Sequence, residues 1–265
     1  MDRRKFLSTS IASAVMAGAS GNSLGASQEG RSSREYYQLR RYHLTTPQRK
    51  LADDFFRTAL VPGLNRLGIM PVGVFSVSIG PEGPSTYVLM PHASVEILAT
   101  AETLLARDAE YLKAGADFLN APANQPSFVR LESSLMLALE GAPKLVVPAA
   151  TAQKGPRMFE LRTYESATDQ DHKTKVDQVN NGEVAIFSKA GFWPVFFGDT
   201  LIGGKLPNLT YMIGFANLTE RDKSWSGFFS APETRSLFGQ PKYSSPGLVS
   251  NVNNTILTPA AYSQI

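Results

Sequence analysis

Tyr36-Tyr37-Gln38-Leu39-Arg40-Arg41-Tyr42 and Met158-Phe159-Glu160-Leu161-Arg162-Thr163-Tyr164 are two versions of one stretch, 122 residues apart. Each alternates in character and carries aromatic ends, the pattern of a half-buried β-strand. Further on, Gly68-Ile69-Met70-Pro71-Val72 returns as Gly191-Phe192-Trp193-Pro194-Val195 at an offset of 123. Thr86-Tyr87-Val88-Leu89 then returns as Thr210-Tyr211-Met212-Ile213 at 124. An offset that drifts by one residue per connection marks a duplicated unit with small loop changes.

Each copy reads in the same order. The first strand covers 36–43 in one copy and 158–165 in the other. In the first copy Thr46 suits an N-cap and Pro47 the first helical position. Leu51, Phe55, Ala59 and Leu60 then fall at helical spacing, and Pro62-Gly63 is expected to kink or end the helix. In the second copy Val176, Val179, Ile186, Phe187 and Ala190 mark the helix, with a weak point at Asn181-Gly182. A hairpin follows in each, over 72–79 and 86–90, then over 192–201 and 209–215. Second helices are expected from Ser94 and from Thr219, the latter with Asp222 three residues on. Last strands fall near 127–135 and 248–257. The order is β-α-β-β-α-β, so the expected fold is α+β, two tandem ferredoxin-like units over 35–140 and 157–265. Residues 141–156, rich in Pro, Ala and Lys, read as a linker that includes a short strand at 145–147.

Composition narrows the function classes. The chain has 265 residues, 43% hydrophobic and 18% charged, which suits a compact globular protein rather than a disordered one. The formal charge is +3, and residues 1–26 carry a net +2 of it, so the remainder is near +1. No basic nucleic-acid-binding surface is indicated. With no cysteine, disulfides, thiolate catalysis and Cys-ligated metal sites are excluded.

The N-terminus is a separate signal. Asp2-Arg3-Arg4-Lys5-Phe6-Leu7 precedes a run rich in Ala, Ser and Gly, and Ala17-Gly18-Ala19 has the form of a cleavage site. The run is too short and too rich in small residues for a stable membrane span. It resembles a twin-arginine signal peptide. Residues 1–34 are therefore expected to be a signal peptide and flexible leader, and the protein to be periplasmic or secreted.

The second copy carries text that resembles the NIPSNAP family. Met158–Tyr164 is similar to the opening strand of that domain, Gly191–Phe197 to its second strand, and Leu218–Trp225 to its second helix. The first copy matches more loosely, through Leu39-Arg40-Arg41-Tyr42 and Leu67-Gly68. The resemblance implies a dimeric α–β barrel, in which two four-stranded sheets meet with helices outside. Here the two copies could supply both sheets. The wider superfamily includes cofactor-free monooxygenases, haem-degrading and haem-binding enzymes, and proteins of unassigned role, so fold alone names no chemistry.

Strand alternation divides the first strand of each copy into two faces. The apolar face, Tyr37 with Leu39 and Phe159 with Leu161, is expected to pack under the helices. The polar face, Arg40 with Tyr42 and Glu160 with Arg162 and Tyr164, is expected to look into the barrel. Two Arg–Tyr sets facing one cavity would orient an anionic or carbonyl-bearing ligand. The competing reading is a satisfied network in which Glu160 pairs with an arginine. His43 ends the first strand, within reach of the barrel mouth, while His92 and His172 read as surface residues. No histidine pair has metal-ligand spacing, so no metal is expected. The leading expectation is a small organic ligand held between the sheets, with cofactor-free oxidation or isomerisation, and no cofactor. Two alternatives stand beside it: a haem enzyme with His43 as axial ligand, and a non-enzymatic interaction module. Homo-oligomer formation is left open.

Overall fold

The structure is a computed structural model that describes residues 34–265 except Glu82 and Lys154. The signal-peptide reading, on residues 1–26, lies outside the described residues.

Eight strands form a closed barrel: β1 (Tyr36–His43), β2 (Gly73–Ile79), β3 (Ser85–His92), β4 (Arg130–Ala138), β5 (Met158–Glu165), β6 (Trp193–Ile202), β7 (Asn208–Phe215) and β8 (Asn251–Pro259). Their order around the barrel is β1-β3-β2-β8-β5-β7-β6-β4. Each copy thus contributes one ferredoxin-like sheet, and the copies join at two seams, β2 with β8 and β4 with β6. All pairs are antiparallel. One chain therefore closes the barrel by itself, which removes the sheet edges that each half would otherwise leave unpaired.

The helices cover the outer wall. The first copy supplies α1 (Gln48–Phe55), α2 (Val61–Arg66), α3 (Val95–Leu105), α4 (Ala109–Ala114) and α5 (Ala116–Leu119). The short α6 (Ala149–Ala152) lies between the copies. The second copy supplies α7 (Asp169–Gln178), α8 (Val184–Lys189), α9 (Leu218–Ser230) and α10 (Pro232–Phe238). A π-helical turn joins α1 to α2 at Phe56–Leu60, and a kinked turn joins α7 to α8 at Val179–Glu183. The kink expected at Pro62-Gly63 does not form. The wide turn just before it places Pro62 in the first turn of α2, where a missing N–H costs no bond. The weak point at Asn181-Gly182 is where expected, with non-helical backbone and Gly182 at a φ of 145°.

Three apolar clusters follow from this arrangement. One lies between the first sheet and its helices, built on Tyr42, Phe55, Phe56 and Leu64. A second lies under the helices of the other copy, built on Phe187, Phe197, Tyr211 and Phe228. The third fills the barrel interior, with Tyr37, Leu39, Phe75, Phe159, Leu161, Phe196 and Met212. Eight strands leave an interior just wide enough for side chains to fill.

Some boundaries move. Thr46 is not the cap of α1, since Pro47 holds that position without a side-chain bond. α9 starts at Leu218 and its cap is Asn217, two residues before the expected Thr219, with the Asn217 side chain accepting from the Glu220 N–H. Residues 145–147 form no strand, although Val146 donates its N–H to Val195 O at 2.9 Å.

Candidate functional site

The two faces of the first strands are inverted relative to expectation. Tyr37, Leu39, Phe159 and Leu161 belong to the interior cluster. Arg40, Tyr42, Glu160, Arg162 and Tyr164 look outward, beneath the helices, and so are not barrel-facing. Arg40 is buried and pairs with Glu102 of α3. Tyr42 packs its ring on Phe56, Phe118 and Phe128.

Glu160 is fully buried and receives four donors. Arg162 Nη1 lies at 2.6 Å, Arg221 Nε at 2.6 Å, Arg221 Nη2 at 2.9 Å and Trp225 Nε1 at 3.0 Å. Burial alone would raise the carboxyl pKa, but the Arg221, Trp225 and Arg162 contacts outweigh it and the pKa is lowered. Tyr164 accepts from Arg162 Nε at 3.2 Å and from the Tyr211 hydroxyl at 2.6 Å. This is the satisfied network weighed against the ligand reading, placed between sheet and helix instead of between sheets. A signal for it was present: Arg221 and Trp225 stand four apart on α9 and require an acceptor on the wall they cover.

The open space lies at one end of the barrel, on the opposite face of the same strands. A cavity of about 440 Å³ is bounded by Leu39, Leu161 and Met136 below, and by Arg41, Glu132, Thr163, Thr210, Asn208 and Lys205 at its polar rim. Arg41 donates to Pro81 O at 2.9 Å and lies 5.4 Å from the Tyr87 ring centre. Glu132 pairs with His43, Nε2 to Oε2 at 3.0 Å, and His43 is buried. That hydrogen bond lowers the Glu132 pKa, and the His43, Arg41 and Arg130 charges add to it against partial desolvation. Thr163 and Thr210 hydroxyls meet at 2.9 Å. Thr210 donates to Asn208 Oδ1 at 3.1 Å, as Thr200 does at 2.7 Å. With Thr210's proton given to Asn208, Thr163 donates to Thr210 and turns its lone pairs to the cavity.

Of the six residues singled out from sequence, His43 alone reaches this rim, through Glu132. Arg41, Glu132, Thr163, Thr200, Lys205, Asn208 and Thr210 were missed. The same alternation, read on the other face, would have found Arg41 and Thr163. The turn around Gly203-Gly204-Lys205 is the expected hairpin connection, and it also overhangs the mouth. His172 is no surface residue: it is buried against β6, its Nε2 2.7 Å from Asp199 Oδ1. Among the described residues no helix is long and apolar enough to cross a membrane.

Residues 159–264 match the NIPSNAP family model. The NIPSNAP match spans β5 to β8, one sheet of the barrel with its helices. No curated protein matches the chain. Among solved structures, a candidate monooxygenase from Lactobacillus acidophilus NCFM superposes with a TM-score of 0.56 at 9% identity, over 85% of this chain and 94% of its own. A candidate monooxygenase from Fusobacterium nucleatum gives 0.54 at 9%, over 86% and 93%. A candidate chlorite dismutase gives 0.50 at 8%, over 86% and 96%. At such identities the likeness shows the fold alone, the dimeric α–β barrel, here with both halves in one chain.

Proposed function

We propose that this chain holds a small oxygenated organic molecule in the mouth of the barrel. The observation that carries the reading is the cavity of about 440 Å³, where a cation, a His–Glu pair and a hydroxyl chain rim an apolar floor. That volume and that mix of walls suit a small-molecule site. Arg41 would hold a carbonyl or carboxylate oxygen, and Thr163 would accept from a neighbouring hydroxyl. Glu132, oriented by His43, would accept a proton from the ligand. Returned to a different atom, that proton completes an isomerisation. With dioxygen as the oxidant, the deprotonated ligand would instead be oxidised without a cofactor. The mouth does not fit haem: His43 is buried and turns its Nε2 to Glu132, away from the role of axial ligand.

The native mass spectrum of the purified protein tests this. A co-purified small mass is expected, and Arg41→Ala should lose it, since a hydrogen bond to a charged group is worth about 1.5–3 kcal/mol. A clean apo mass, together with no saturable calorimetric binding of aromatic ketones or carboxylates, would end the proposal.

A further inference from the structure

The two copies differ where their first helices meet the outer sheet wall. Both interrupt their first helix at the same place, 123 residues apart, which aligns them: a π-helical turn at Phe56–Leu60 in one, a kink at Asn181-Gly182 within Val179–Glu183 in the other. Three buried positions around it are Ala52, Phe55 and Leu60 in the first copy. In the second they are Lys175, Gln178 and Glu183, also buried. Lys175 Nζ donates to Glu183 Oε2 at 2.7 Å and to Gln178 Oε1 at 2.8 Å.

The packing above these positions differs as well. In the first copy Phe55 stacks on Phe118 at 4.0 Å, and Phe118 lies 5.9 Å from Phe128. Those rings cover Tyr42. In the second copy Tyr164 takes the place of Tyr42, and among the described residues it meets one ring, Tyr211. The residue that stands two before β8, as Phe128 stands two before β4, is Val249. The space so vacated is a cleft of about 290 Å³, with Tyr164, Trp225 and Phe238 among its walls, Phe229 at its rim, and Lys175, Gln178 and Glu183 as its floor. Phe229 is 63% exposed and stacks on Trp225.

The chemistry of the floor selects the ligand. Lys175 and Glu183 compensate one another, so an ion gains nothing there beyond its own desolvation cost. Gln178 Nε2 and Glu183 Oε1 have no hydrogen-bond partner among the described residues, yet they are not sealed from the cleft. They offer the cleft a donor and an acceptor, on two residues held together by Lys175. A phenolic hydroxyl can both donate and accept there, and its ring would pack near Tyr164 on the side where Phe128 packs against Tyr42 in the first copy. We infer that this cleft is a second binding site, specific to the second copy, for a neutral mono- or bicyclic phenol. It lies outside the barrel and does not depend on the mouth.

Calorimetric titration with 2-naphthol tests it on the full chain. Saturable binding is expected, at least tenfold weaker for naphthalene, which has no hydroxyl. Val249→Phe, which restores the ring of the first copy, should cut 2-naphthol affinity at least tenfold. Phe229→Ala at the exposed rim should weaken it several-fold, and it keeps the test open if the first variant does not fold. Arg41→Ala, at the barrel mouth, should leave the affinity unchanged. Equal affinity for naphthalene and 2-naphthol, no saturable binding, or loss in Arg41→Ala with none in Phe229→Ala would overturn the proposal.

Discussion

At the scale of single residues, Glu160 decides how the second sheet meets α9. Its carboxylate is sealed from water and carries two arginines and an indole N–H. Removing one partner of a buried ion cluster leaves uncompensated charge, at a cost of about 3–5 kcal/mol. Glu160→Ala should therefore lower the free energy of unfolding in urea by that amount. The pH dependence has a definite sign. A carboxyl whose folded pKa is lowered from 4.5 contributes stability that is fully present above the unfolded value. It is lost as pH falls through the folded pKa. Thermal midpoints measured from pH 6 downward should fall below pH 4.5, and Glu160→Ala should flatten that limb. An unchanged acid limb in the variant would show that Glu160 is not the group responsible.

At the scale of elements, the seams between copies each rest on four register pairs, as few as any pairing in the barrel. At the β4–β6 seam Ala138 pairs with Gly198, and a Cβ at position 198 would stand 2.8 Å from the Met136 Cβ. Neither atom is the end of a flexible side chain, so the backbone must yield. Gly198→Ala should cost about 1–3 kcal/mol through overpacking. Differential scanning calorimetry checks this, and a stability equal to that of the parent would mean the seam tolerates separation. The helix interruptions act at the same scale. The π-helical turn before Pro62 widens the coil between α1 and α2, while the kink at Asn181-Gly182 bends α7 into α8.

At the scale of the molecule, closure in one chain ties the two halves into one cooperative unit. Both tryptophans, Trp193 and Trp225, lie in the second copy. A cavity created in the first copy should nonetheless be felt there. Phe118→Ala is expected to remove about 3–5 kcal/mol. The tryptophan fluorescence midpoint should shift together with the far-ultraviolet circular dichroism midpoint. A fluorescence transition that stays in place while the dichroism splits would show two independently folding halves.

The repeat of Tyr36–Tyr42 in Met158–Tyr164, and the drift of its offset, already contained the β-α-β-β-α-β order and the pairing of two such units. Local pattern suffices for that, because strand alternation, turn residues and helix caps are encoded within a few residues of one another. The site was less legible. Alternation showed that the first strands have two different faces, but in a barrel sheathed by helices both faces are buried, and burial alone does not say which is inside. Partners 61 and 65 residues away, Arg221 and Trp225, drew Glu160 outward and set the orientation. The strand count determined the rest. Eight strands leave room for packed side chains in the middle, so the apolar face went in and the mouth stayed open. The sequence by itself determined the elements and their duplication. Closure, face and cavity were decided by contacts between residues far apart in the chain, which no local pattern encodes.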